Sequence, residues 1–267
     1  MRWKSPILAI GWQLLTFSEA QEESIRQSAL IKNPGTNTIV GFECNWDGPE
    51  NWCAGWQNAD YSQSDNYDPK EHFPWVVRRG SSLSPATGPS FDHTVGDPTG
   101  QYLALIGRDK KFLSRAEITS PRIDLRNVEF ISLLATYANA HVILKLNVKS
   151  VFEEYCFSMW YHMFGRHTFS LNVHISIPNT RSDREMVFKA SGSVSKTGQD
   201  WLFMQQTIKR PSDWAPSEGP GPHYVNIMVK GVRGLSYQSD IALDDLKFVP
   251  GPCPDKPPVV REVFSNL

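Results

Sequence analysis

The amino-acid sequence predicts an all-β fold, an antiparallel two-sheet sandwich held by disulfide bonds. Three observations support this prediction: many short β-rich segments between turn residues, no sustained helical periodicity after residue 20, and an even number of cysteines. The chain has 267 residues, of which 40% are hydrophobic and 12% aromatic, enough apolar material for a large core. Its net charge of −1 provides no basic field for nucleic acid or an anionic membrane, so neither is an expected partner.

The clearest strand signal lies at residues 169–177, where all five odd positions are apolar and all four even positions are polar. Alternation with a period of two predicts a strand with one buried face. The side chains expected to point into the core are Phe169, Leu171, Val173, Ile175 and Ile177. Those expected to face solvent or a partner are Ser170, Asn172, His174 and Ser176. The other β-rich runs, in chain order, are residues 102–106, 115–125, 155–161, 185–190, 201–209 and 224–230.

The N-terminal 20 residues have the features of a secretory signal peptide. Arg2 and Lys4 form a basic start, residues 6–17 are mostly apolar, and small residues end the segment, so cleavage is expected after Ala20. The alternative interpretation is a buried N-terminal helix. No later run of about 18 apolar residues occurs, so no transmembrane span is expected in this chain. The signal interpretation predicts a secreted, extracellular protein.

Four cysteines, Cys44, Cys53, Cys156 and Cys253, suggest two disulfide bonds in a secreted chain, with three possible connectivities. Cys44 and Cys53 are too far apart in sequence for the C-x-x-C unit of a zinc site. The economical pairing is a local Cys44–Cys53 loop and a long-range Cys156–Cys253 bridge. The alternative is four reduced, buried cysteines in a cytosolic protein.

Four sequence blocks occur in a fixed order around these cysteines. They are CNWD at 44–47 with CAGW at 53–56; FPW at 73–75 through RG at 79–80 to TGPSFDHT at 87–94; CFSMWYHMFG at 156–165; and GVRG at 231–234 through DIALDD at 240–245 to PC at 252–253. Together they resemble the MAM domain, a family named from meprin, an A5 antigen and receptor phosphatase mu, over about residues 41–254. The resemblance implies an extracellular sandwich of jelly-roll type and the economical disulfide pairing.

The same resemblance implies a non-catalytic module for adhesion or interaction, with extracellular or cell-surface proteins, or a second copy, as partners. Recognition is expected through exposed loops and one sheet face. Some positions depart from the family pattern: Trp46 and Asp47 stand where Phe-Glu is usual, and Ala54 lengthens the segment after the second cysteine. No departure removes a cysteine, so the fold expectation stands.

The resemblance also divides the chain into segments. Residues 1–20 are the expected signal, 21–40 a polar tether, 41–254 the domain, and 255–267 a proline-containing C-terminal tail. Residues 127–150 form an atypical apolar insert where the family has a shorter connection. It is either an added hairpin that shields a sheet edge or a translated intron that the fold does not need. The second interpretation is favoured, because an apolar insert longer than about 12–15 residues without a packing partner is unusual.

No enzyme is predicted, because the sequence contains neither H-E-x-x-H nor G-x-S-x-G, and its seven histidines are scattered. The alternative function is a carbohydrate-binding jelly-roll module or a sandwich glycosidase, an argument from fold analogy. An exposed aromatic platform would favour sugar binding, and the residues to inspect for it are Trp52, Trp56 and Trp214.

Acidic residues in these blocks suggest a calcium site. Parity places Asp245 on the same strand face as Ile241 and Leu243, and a core-side carboxylate needs a partner, such as Arg233 or a cation. Calcium prefers six to eight oxygen ligands. The candidate ligands, which converge if the first and last strands pair, are Asp47, Asp92, Asp244 and Asp245. The alternative for Asp47 and Asp92 is that they only cap turns. No other cofactor is expected.

Overall fold

The structure is a computed structural model that describes residues 30–32, 39–48, 53–63, 67–125, 154–176, 184–209 and 224–255, and the backbone of four short strands between 128 and 150. All regular elements in these ranges are β-strands, which confirms the all-β prediction. They are β1 Leu30–Lys32, β2 Ile39–Cys44, β3 Gln57–Asn58, β4 Val76–Arg79, β5 Gln101–Leu105, β6 Arg115–Thr119, β7 Ile123–Asp124, β8 Val128–Phe130, β9 Ala135–Tyr137, β10 Ala140–Val142, β11 Val148–Ser150, β12 Glu154–His162, β13 Thr168–Ser176, β14 Arg184–Ser191, β15 Leu202–Lys209, β16 Tyr224–Arg233 and β17 Ile241–Pro250.

Two antiparallel sheets form the predicted sandwich. The seven-stranded sheet has the order β1-β2-β17-β12-β15, with β5 also paired to β17 and β4 paired to β5. The six-stranded sheet has the order β14-β13-β16-β6-β3, with β7 also paired to β16. The core between them is apolar and fully or almost fully buried, and includes Phe42, Leu105, Phe157, Leu243 and Phe248 from one sheet and Ile118, Leu171, Val173, Ile227 and Val229 from the other.

The first and last long strands are neighbours. β17 pairs with β2 through Leu246 and Cys44, and with β5 through Ile241 and Leu105. On its other side β17 pairs with β12. The end of β2, the start of β5 and the middle of β17 therefore meet in one place.

The disulfide bonds join Cys44 to Cys53 and Cys156 to Cys253, with Cα–Cα distances of 5.5 Å and 4.6 Å. These are the economical pairs of the sequence analysis. Cys44 is the last residue of β2, and Cys156 lies in β12. One bridge therefore closes the loop after β2, and the other ties the segment after β17 to the centre of the seven-stranded sheet.

The inward pattern predicted for β13 is correct at Leu171, Val173 and Ile175, which are buried, and wrong at Phe169, which is 47% exposed. Ser170, expected outside, is buried. The ladder between β13 and β16 is irregular between Thr168 and Ser170, so the alternation shifts at this point. Ile177 lies outside the described residues.

Other segment predictions have different outcomes. The tether expected over 21–40 is wrong at residues 30–32, which form β1 on β2, and at 39–40, which begin β2. The signal peptide with its cleavage after Ala20 and the tail beyond residue 255 lie outside the described residues.

Within 127–150, β8 pairs with β11 and β9 with β10, and these ladders belong to neither large sheet. In the described ranges, the chain forms no helix long and apolar enough to cross a membrane.

Candidate functional site

Three carboxylates meet where β2, β5 and β17 come together. Asp47 follows the end of β2, Asp92 lies in the loop between β4 and β5, and Asp244 lies in β17. One oxygen of each lies within 4.8 Å of an oxygen of both others. Asp92 and Asp244 are fully buried. The structure therefore brings together three of the four predicted calcium ligands, and we name them the carboxylate cluster.

Asp47 is aimed into the cluster by a tight turn. Trp46 adopts the left-handed backbone conformation, with φ of 60°, and the Asp47 N–H donates to Asn45 Oδ1 at 3.2 Å. Asp47 Oδ1 accepts the N–H of Gln101, the first residue of β5, at 2.6 Å. Its Oδ2 is buried and forms no hydrogen bond within the described chain. The nearby Thr94 hydroxyl partly opposes the rise in the pKa of the Asp47 carboxyl. Asp47 thus keeps one oxygen available inside the cluster.

Asp92 both caps a turn and belongs to the cluster. Its carboxylate accepts the N–H groups of Val95 at 2.6 Å and Gly96 at 3.2 Å. Asp92 therefore caps a turn while its carboxylate also belongs to the cluster. Gly100 packs against this carboxylate so closely that a Cβ atom there would lie 2.0 Å from Asp92 Oδ1. Only glycine fits at position 100 without displacing Asp92.

Asp244 is the buried acid at the centre. Its Oδ2 accepts the N–H of His93 at 2.9 Å, and its Oδ1 accepts the N–H of Asp245 at 2.9 Å. The pKa of Asp244 is raised to about 9, mainly by burial and also by the charges of Asp245 and Asp47, while the hydrogen bonds from the N–H groups of His93 and Asp245 act in the opposite direction. Burial and the charge of Asp92 also raise the pKa of Asp47. Burial therefore favours the protonated form of both carboxyls, and a bound cation would favour the ionised form.

Asp245 does not occupy the place that parity predicted. Its φ is 48°, and the ladder between β12 and β17 is irregular opposite this position, so one extra residue is accommodated. The bulge makes Asp244 the fully buried carboxylate and leaves Asp245 partly exposed. Asp245 Oδ2 lies 2.8 Å from Nδ1 of His93, whose ring stacks on Trp160 at 3.7 Å between centroids. The sequence analysis missed His93, and its only signal was its place directly after Asp92.

The chemistry of the carboxylate cluster fits a hard cation. Its three side chains offer only oxygen, the donor that calcium and magnesium prefer, and no nitrogen or sulfur atom of a soft-metal site. Carboxylates that are buried side by side repel one another unless a positive charge or protons lie between them. The buried, unpartnered Oδ2 of Asp47 is the group that most needs such a partner.

A second buried polar group joins two loops at the other end of β17. Asp240 accepts the N–H of Gly107 at 2.7 Å and the hydroxyl of Ser82. Arg233 was predicted to pair with a carboxylate, but its guanidinium instead donates hydrogen bonds to the carbonyl oxygens of Gly107 and Gly234. Burial lowers the pKa of Arg233 and raises that of Asp240, while each charge partly offsets this effect for the other. This group fastens loops and leaves no open oxygen.

Of the three aromatic residues singled out for sugar binding, the described chain includes Trp56 alone. Trp56 packs edge-on against Phe42 at 5.1 Å, beside the core. Trp52 and Trp214 lie outside the described residues.

A family model described as the MAM domain, meprin/A5/mu, matches residues 44–254. The chain belongs to the MAM domain family. MAM domain-containing glycosylphosphatidylinositol anchor protein 1 of Gallus gallus is 31% identical over 194 residues, 71% of this chain and 16% of that protein. Anchor protein 2 of Mus musculus is 25% identical over 190 residues, 70% of this chain and 17% of that protein. The chain thus matches less than a fifth of the length of either relative.

The similarity to solved structures is weaker. The K1 cleaved adhesin domain of Lys-gingipain from Porphyromonas gingivalis W83 has a TM-score of 0.43 and 11% identity, covering 79% of this MAM chain and 99% of that chain. TmCBM61 in complex with β-1,4-galactotriose has a TM-score of 0.36 and 9% identity, covering 74% and 90%.

Proposed function

We propose that this MAM chain is a non-catalytic, extracellular recognition module that binds proteins at or near the cell surface, a second copy of itself among them. The observation that carries the proposal is the family match over 44–254. Two disulfide bonds support an oxidising location, because such bridges persist outside the cytosol. Relatives named for a glycosylphosphatidylinositol anchor support a location at or near the cell surface, for a chain that is either secreted or anchored.

Apolar side chains at one end of the sandwich suit protein recognition. The Arg233 N–H donates to the Ser114 carbonyl at 2.9 Å, so the loop before β6 adjoins the loop after β16. Leu113 comes from the first loop, and Leu235 and Tyr237 come from the second; Leu235 is 68% exposed. Neighbouring exposed apolar groups on a rigid scaffold are typical of interaction surfaces. We name these three side chains the loop-end surface.

Binding of the purified chain to intact cells, run beside a glycan array, tests this function. We expect saturable binding that prior proteolysis of the cell surface abolishes, and no glycan-specific signal. The double substitution Leu235→Ser and Tyr237→Ser should weaken binding by at least about 10-fold, since central apolar contacts carry most interface energy. Met186→Ser, at an equally exposed position on β14, is the matched control. Specific glycan binding, or cell binding that resists proteolysis, would contradict the proposal and favour the carbohydrate alternative.

We also propose that the carboxylate cluster binds calcium as a structural ion. Asp47, Asp92 and Asp244 would hold it, and the ion would fasten the end of β2 to β17 and to the loop before β5. The support is the convergence of three oxygen donors within 4.8 Å, with one buried oxygen unpartnered. The role is structural, because the cluster is buried among backbone hydrogen bonds and faces no described catalytic pair.

Calorimetric titration with calcium tests this proposal. A ligand that binds only the folded state stabilises it by about 2.7 kcal/mol at 100-fold over its Kd, so we expect a higher melting temperature with calcium. Asp47→Asn should abolish both the heat of binding and the calcium-dependent rise. Asp97→Asn, at an exposed aspartate that only caps Thr99, is the control and should retain both. No binding heat in the wild-type chain after treatment with a chelator would refute the site.

A further inference from the structure

The edge strands of the two sheets are not equally protected against pairing with another strand. An exposed edge presents unpaired N–H and C=O groups, and natural proteins shield it with short strands, bulges or charged side chains. In the described chain, β1 has three residues and an irregular ladder, and β3 has two residues. β4 carries Arg78 and Arg79. β14 carries Glu185 and Lys189, and its ladder with β13 is irregular opposite His174.

β15 has none of these protections over most of its length. Its eight residues, Leu202–Lys209, pair with β12 in an unbroken register from Tyr161 to Glu154. The only charge in the strand is Lys209, at its last position. No described strand lies beyond β15, so alternate residues direct their backbone N–H and C=O groups away from β12. A straight, uncharged edge of seven residues is suited to accept one more strand.

We propose that β15 pairs antiparallel with β15 of a second copy of this chain, which joins two seven-stranded sheets into one across a twofold axis. The inference deepens the proposed recognition function by naming a partner and the strand that meets it, and it rests on that function. Pairing of identical antiparallel strands is self-complementary and closes at two copies, so it yields a defined dimer.

The side chains of β15 favour a register centred on Gln205. Met204 is buried in the core and Ile208 packs against it, so the side of β15 that carries the even positions faces the core, although Gln206 on that side is exposed. In an antiparallel pair, directly opposed residues belong to the same face. With Gln205 opposite Gln205 of the second copy, each Leu202 lies opposite Ile208 on the core side. An apolar pair then extends the core at both ends of the new ladder.

Charges at the ends of the strand favour the same register. Lys209 ends β15, and Asp200 stands two residues before its start. In the register centred on Gln205, each Lys209 lies opposite Trp201 of the second copy, beside its Asp200. Opposite charges therefore approach one another at both ends, and complementary charge helps to fix orientation and register.

Sedimentation velocity on the full, purified chain with Gln205 charge variants tests the proposal. Gln205 is the residue on the twofold axis, so Gln205→Lys or Gln205→Glu places two like charges opposite one another. We expect the wild-type chain to dimerise with rising concentration, and each variant to weaken the dimer by at least about 10-fold. An equal mixture of the two variants should restore dimers, because each lysine then meets a glutamate.

The mixture distinguishes a specific contact from a folding defect, since an unfolded variant gains nothing from its partner. Met186→Lys on β14 is the matched control and should dimerise as the wild type does. A wild-type chain that stays monomeric across about a 100-fold range of concentration, or a dimer indifferent to both Gln205 variants, would overturn the inference. A monomeric chain that still binds cells would refute only this contact and leave the proposed function intact.

Discussion

At the scale of single residues, His162 is the clearest buried base in the described chain. Its side chain is fully buried in β12, and its Nε2 lies 2.9 Å from the Thr197 carbonyl oxygen, while Nδ1 has no hydrogen-bond partner in the described chain. Burial lowers the pKa of His162 to about 4, although the Thr197 carbonyl and the charge of Asp200 act in the opposite direction. The folded protein therefore holds this imidazole neutral under mildly acidic conditions.

His162 should contribute a loss of stability on mild acidification, whereas the raised pKa of Asp244 acts in the opposite direction. An unfolded histidine takes up a proton near pH 6.5, whereas the folded one does so only near pH 4. The stability that it contributes is complete above pH 6.5 and is lost as the pH falls towards 4. Between pH 7 and pH 5 the loss is about 2 kcal/mol. On going from pH 7 to pH 5, the change in unfolding free energy measured with urea should be about 2 kcal/mol less favourable for the wild type than for His162→Gln. An equal change in both proteins would contradict this account.

Gly100 is the residue on which the position of Asp92 depends most directly. In Gly100→Ala the new methyl group overlaps the Asp92 carboxylate, so the loop must move, and we expect a loss of more than about 2 kcal/mol. In Gly192→Ala the methyl group meets nothing within 4 Å, so only the backbone strain of about 1 kcal/mol from φ of 79° remains. Thermal unfolding of the two variants measures the difference. Equal losses of unfolding free energy would show that Asp92 can move away from the new methyl group without destabilising the fold.

At the scale of the element, β13 offers a comparison within a single strand. Leu171→Ala removes a fully buried side chain and should cost about 2–5 kcal/mol in unfolding free energy. Phe169→Ala removes a larger side chain from a half-exposed position and should cost less than about 1 kcal/mol. Alternation alone predicts similar losses at both positions, so chemical denaturation of the two variants distinguishes alternation from the bulged strand.

The errors in the predicted facing of strand side chains lie at two bulges. Alternation predicted the burial of Leu171, Val173 and Ile175, because regular pleating fixes the face of each residue. It failed at Phe169 and at Asp245, where an extra residue shifts the ladder. At Asp245 the left-handed conformation is adopted without a glycine, so no residue type marks the bulge. The convergence of the aspartates was predicted on the condition that the first and last strands pair, and β2 and β17 do pair.

At the scale of the whole molecule, the two disulfide bonds should contribute unequally to stability. They close loops of 9 and 97 residues in sequence separation. On the chain-entropy model these bridges are worth about 2.5 and about 4.7 kcal/mol. The double variant Cys156→Ala with Cys253→Ala should therefore unfold at a lower urea concentration than Cys44→Ala with Cys53→Ala. The reverse order would mean that loop length does not determine how much each disulfide bond contributes to stability.

The placement of β17 has a consequence for biosynthesis. β2 ends at Cys44, but its neighbour in the sheet begins at Ile241. At about 5–20 residues per second, a ribosome needs roughly 10–40 s to deliver that neighbour after β2 has emerged. Throughout this interval β2, β5 and β12 lack the strand that they share, and Cys156 lacks its partner. A nascent chain of this protein therefore exposes unpaired strands until β17 is made, and a chain that stops before Ile241 cannot close the sheet.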